Sequence, residues 1–134
     1  MRAARLRSLV PLALVAAACG GMARADDEVR TVHVTIRYSS FSPGAFTFSP
    51  GETVRFVVEN TDPIDHEFLI GDRTIQIVHE QGTEAYHPPR PGEMTVPAGT
   101  TQTTLYTFGA DDLILGCHLP GHYAYGMRAP IHVA

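Results

Sequence analysis

GCHLPGHYAYGM, residues 116–127, sets a cysteine, two histidines and a methionine within one short stretch. Gly116, Pro120, Gly121 and Gly126 break it, so it reads as a loop rather than a helix or strand. Cys117, His122 and Met127 follow one another at intervals of five residues. A thiolate, an imidazole and a thioether suit copper. Soft sulfur holds Cu(I), imidazole binds both oxidation states, and a weak axial Met tunes the potential. A trigonal site needs a second imidazole, carried by another strand that ends at the same edge. NTDPIDHEF, residues 60–68, offers one: a strand ends at Asn60, a Pro-containing loop follows, and His66 opens the next apolar run.

The chain around these two segments reads as short strands and turns. Residues 32–38 (VHVTIRY) alternate with period two, which predicts a half-buried strand with Val32, Val34, Ile36 and Tyr38 facing in. Residues 53–59 (TVRFVVE) are strong β-formers, and residues 101–108 (TQTTLYTF) alternate again, with Leu105, Thr103 and Thr107 on one face. Ser42-Pro43-Gly44 and Ser49-Pro50-Gly51 are turns. Short strands separated by turn signals predict an all-β, antiparallel sandwich. Residues 71–92 are the exception: Thr74–Gln81 reads either as a short helix or as an irregular excursion.

Residues 1–25 read as a secretory signal. Arg2, Arg5 and Arg7 precede a short apolar run, and Ala23-Arg24-Ala25 is an A-x-A cleavage site. The run is too short for a stable membrane span. Lipid attachment at Cys19 is the alternative. With residues 1–25 removed, 26–134 form one domain carrying six Arg against fourteen acids, a net charge of about −8. Such a surface excludes nucleic acid as a natural partner and suits a basic protein. Cys117 is then the sole cysteine, and an unpaired thiol is a hazard in an oxidising compartment unless a metal occupies it.

The chain resembles the cupredoxins, the small blue-copper fold of plastocyanins, azurins and pseudoazurins. NTDPIDHEF and CHLPGHYAYGM carry the resemblance, with Phe41-x-Pro43 and Pro50-Gly51-x-x-Val54 as weaker signals. It implies a Greek-key sandwich and one type 1 copper, with His66, Cys117, His122 and axial Met127 as ligands. It further implies a one-electron carrier, Cu(II)/Cu(I), periplasmic or secreted, monomeric and not an enzyme. His122 would be the electron exit and a redox protein with a basic docking face the partner. Glu67 stands where many cupredoxins have Asn; its backbone N–H still serves the thiolate, and its carboxylate should point away. Cys117-His118-x3-His122-x4-Met127 also resembles the last copper motif of multicopper oxidases.

Two other readings follow. One is copper handling: binding, delivery or sequestration for copper resistance. The other is a subunit of a multicopper oxidase assembly, in which His118 would bind a second copper. His79 and His87, with Glu80 and Glu84 between them, are a candidate second metal site or a solvated loop. His33 and His132 fall on the polar phase of their strands. No phosphate loop, zinc CxxC pair or oxyanion-hole motif accompanies the cysteine.

Overall fold

TVRFVVEN, Thr53–Asn60, shows how the sequence builds the sheets. Val54, Phe56, Val58 and Asn60 are buried, while Arg55 and Glu59 face solvent. That alternation is the period of a strand with one face on the core. In the computed structural model, which describes residues 29–82 and 89–134, this strand (β4) lies at the centre of a four-stranded sheet. Its companions are β1 (Arg30–Ile36), β2 (Phe41–Ser42) and β7 (Thr101–Thr107), in the order β2-β1-β4-β7. The second sheet has the order β3-β9-β8-β5-β6. It comprises β3 (Phe46–Phe48), β5 (His66–Gly71), β6 (Glu93–Val96), β8 (Leu113–Gly116) and β9 (Arg128–Val133). The proposed leader at 1–25 and Cys19 lie outside the described residues. Among those described, no helix is long and apolar enough to cross a membrane.

The all-β sandwich expected from the sequence is present, but its sheets are mixed rather than purely antiparallel. β1 runs parallel to β4, from Arg30↔Val54 to Ile36↔Asn60, and β3 runs parallel to β9. The core between the sheets is aromatic. Phe41, Phe46, Phe48, Phe56, Phe68 and Phe108 are all buried there, with Val34, Ile36, Val96, Leu115 and Ile131. Each such side chain contributes about 1.5–3 kcal/mol by leaving water.

Two phase assignments change. Tyr38 is 79% exposed, because β1 ends at Ile36 and the chain turns through Arg37–Ser40. Leu105 is 46% exposed, and the inward phase of β7 is Thr104 with half-buried Tyr106. The undecided excursion contains a helix, α1 (Arg73–Glu80), capped where the Asp72 side chain accepts from the Ile75 N–H at 2.8 Å. It packs on β5 and β8, which explains why every residue of β5 is buried. Gln76, buried on this helix, donates to the carbonyls of Ile114, Gly71 and Leu69 at 2.8, 3.3 and 3.5 Å.

Candidate metal centre

In the second sheet β8 lies between β9 and β5, antiparallel to both. The start of β5, the end of β8 and the start of β9 therefore share one edge. His66 is the first residue of β5, Cys117 follows β8, and Met127 precedes β9. The loop between the last two closes on itself. The Cys117 N–H donates to the Met127 carbonyl at 3.2 Å, the Met127 N–H to the His122 carbonyl at 2.9 Å, and the His122 N–H to the Leu119 carbonyl at 2.9 Å. A Cβ at Gly116 would lie 2.5 Å from the Gln76 side-chain oxygen and 2.9 Å from the Tyr123 ring, so any larger residue there would displace both side chains.

The donor atoms of His66, Cys117 and His122 lie within 4.8 Å of one another. Both imidazoles turn Nδ1 toward the sulfur: 3.3 Å for His122 and 4.0 Å for His66. The two rings are 5.0 Å apart. Cys117, His66 and Met127 are buried, while His122 keeps partial exposure. Met127 is held beside Cys117 by the backbone bond already described, so its thioether is the fourth candidate donor.

Burial pushes the Cys117 thiol up to about 11 from its ordinary 9.0. The Glu67 and Leu119 N–H groups act against that shift, and the Glu67 and Glu80 charges add to it. The Glu67 N–H lies 3.3 Å from the sulfur. Desolvation, then the neighbouring His66, holds His122 below its ordinary 6.5, so its imidazole is neutral at pH 7 with a lone pair to offer. A buried thiol with N–H donors aimed at its sulfur, two imidazoles and a thioether is a soft and borderline donor set. It fits one copper ion.

A thiol with a raised folded-state pKa stabilises the fold while it stays neutral. That contribution is complete below pH 9 and is lost as pH climbs through about 11. The metal-free protein should therefore lose about 2–3 kcal/mol across that window. Urea unfolding at a series of pH values checks this against Cys117→Ser, in which tyrosine titration remains and the loss should vanish.

Glu67 behaves as its position suggested. Its carboxylate accepts from the His118 N–H at 2.9 Å. The His118 ring turns toward α1, with Nδ1 2.8 Å from Glu80 and Nε2 2.6 Å from Gln76, and it stacks on Tyr123 at 4.4 Å. His79 sits near Glu93, with Nε2 3.5 Å from its carboxylate, and its Nδ1 is 3.0 Å from the Ile75 carbonyl. His87 and Glu84 lie outside the described residues. Among the described residues, the three-donor group at His66, Cys117 and His122 is the one that meets metal-site spacing. His33 and His132 are exposed, as expected.

Sequence reasoning missed Asp62. Its carboxylate accepts from the Tyr38 and Ser39 N–H groups at 2.7 and 2.8 Å and lies 2.8 Å from His66 Nε2. Burial alone would raise its pKa. Those backbone bonds and the His66 contact outweigh burial and hold it below the ordinary 3.8. The available signal was an acid four residues before the candidate ligand His66, within one short loop.

The copper-resistant cuproprotein CopI of Rubrivivax gelatinosus is 35% identical over 119 residues, spanning 85% of this chain and 70% of that protein. The chain belongs to the CopI family. A CopI from Vibrio cholerae is 38% identical over 91 residues, spanning 65% of this chain and 54% of its own length. No family profile matches the chain. Among solved structures, reduced auracyanin from Roseiflexus castenholzii superposes with a TM-score of 0.65 at 22% identity, over 78% of this chain and 96% of that one. This CopI-family chain thus has the cupredoxin fold.

Proposed function

We propose that the chain is a one-electron carrier outside the cytoplasm, holding one copper through His66, Cys117, His122 and Met127. The convergence of two Nδ1 atoms on one buried sulfur carries this reading. Copper bound there would supply Cu(II)/Cu(I) chemistry. The protein's part is to hold the donors still. His66 and Cys117 are fixed by hydrogen bonds from neighbouring segments and shielded from water, which suits a site that keeps its metal. His122, the histidine with solvent access, is the exit for the electron. The acidic surface steers a basic redox partner to a monomer that has no catalytic residues of its own.

A second reading is favoured by the relatives' description as copper-resistant cuproproteins: sequestration or delivery of copper. Titrating the full chain with Cu(II) tests the first. An intense thiolate-to-copper absorption should saturate at one copper per chain, bleach with a reductant and return with an oxidant while the metal stays bound. Release of copper on reduction would favour handling, and copper binding without the band would remove the electron-carrier reading and leave a histidine-based storage or delivery site.

A further inference from the structure

The Tyr38 and Ser39 backbone is left-handed at two successive residues, with φ of 53° and 51°, and neither is glycine. Such a pair is unfavourable for L-residues and needs a compensating contact. Asp62 provides it. The turn aims two consecutive N–H groups at one carboxylate, the Tyr38 N–H at Oδ1 and the Ser39 N–H at Oδ2. Successive N–H groups arranged in this way form an anion-binding nest. The same Oδ2 meets His66 Nε2 in the protein interior. Asn60 steadies the loop between them: its Oδ1 accepts from the Asp62 N–H at 3.0 Å, and its Nδ2 donates to the Ile64 and Val96 carbonyls at 2.8 and 2.9 Å.

An ionised carboxylate only accepts hydrogen bonds, so the nitrogen facing it carries the proton. Nε2 of His66 is therefore the protonated nitrogen, and Nδ1, on the other side of the ring, faces the Cys117 sulfur. We propose that Asp62, anchored in the Tyr38–Ser39 nest, is the positioning residue that fixes the tautomer and orientation of His66. It thereby presents a bare Nδ1 to the metal and lowers the copper potential. This rests on the copper reading above. A carboxylate behind a ligand imidazole makes that imidazole a stronger donor, and its negative charge favours Cu(II) over Cu(I). The β1–β2 turn, distant in sequence from every ligand, thus becomes part of the metal centre.

Two measurements on the full chain test the inference. The first is nitrogen NMR of the metal-free wild type, which should show the His66 proton on Nε2 and a bare Nδ1. A proton on Nδ1 overturns the inference, whether or not copper binds. The second is the reduction potential of copper-loaded Asp62→Asn. The amide keeps an acceptor for the nest but removes the charge, so the potential should rise while the thiolate band and the one-copper stoichiometry persist. An unchanged or lowered potential overturns the inference and leaves the copper reading intact. Absence of the band in wild type would instead sink the copper reading, and the nitrogen shifts would still decide what Asp62 does to His66. If Asp62→Asn fails to fold, those same shifts decide alone.

Discussion

Cys117→Ser should abolish the visible absorption that Cu(II) produces in the wild type and leave the protein unable to retain copper against a chelator. The band requires a sulfur whose electrons can move onto the metal. A serine hydroxyl is a hard, neutral donor at any pH at which the protein is folded, and copper prefers the thiolate. The affinity loss should exceed the roughly 10–100-fold that loss of an outer hydrogen-bonding partner costs a metal site. Absorption spectra and chelator competition on the two proteins, side by side, measure both effects.

The substitution is also a fair test of chemistry rather than folding. Sulfur becomes oxygen with little change of shape, and the Glu67 N–H that lies 3.3 Å from Sγ can donate to the new hydroxyl. Circular dichroism of the metal-free variant should match the wild type. A band that survives in Cys117→Ser would mean that the thiol is not bound to the metal. The histidines would then form a different centre, closer to storage than to electron transfer.

The candidate donors were legible because three of them, Cys117, His122 and Met127, lie on one short loop, where spacing alone suggests a common metal. His66 was legible because a turn before an apolar strand places it at a sheet edge. The strand β4 was legible from its own alternation. What escaped the sequence depends on pairing between distant segments. The parallel pairing of β1 with β4 joins Ile36 to Asn60, and no local pattern announces it. Tyr38 continued the alternation of β1 on paper. In the fold, the Tyr38 and Ser39 N–H groups are engaged by the Asp62 carboxylate, and the side chain leaves the core. Leu105 is the more apolar choice for the inward face of β7. Thr104 is buried instead, its hydroxyl accepting from the Gly92 N–H at 3.0 Å and donating to the Arg90 carbonyl at 3.2 Å. Hydrogen bonding to the segment before β6 thus outweighed hydrophobicity. Asp62 itself looked like an ordinary loop acid, because its partners lie 23 and 24 residues earlier and four residues later.

Phe56→Ala should cost the metal-free protein about 3–5 kcal/mol, a large share of the roughly 5–15 kcal/mol available to a domain of this size. Phe56 sits at the middle of β4 and touches rings from both sheets: Phe68 at 5.3 Å, Phe48 at 5.8 Å, and Phe46 and Phe108 at 6.4 Å. Truncation removes a ring from the centre of that cluster, and rigid strands on both sides cannot close the gap. In urea, the midpoint should fall with little change in slope. Copper should recover much of the loss, since free metal at about a thousand times its Kd adds about 4 kcal/mol to the folded state. The absorption of the loaded variant should match the wild type, because the candidate donors hang from the strand ends and the 116–127 loop closes through its own backbone bonds. A shifted band would show that the aromatic core, acting through Phe68 two residues beyond His66, helps set the geometry of the metal centre. A cost below about 1 kcal/mol would show that neighbouring rings collapse into the space and that the two sheets are less rigidly locked than their packing implies.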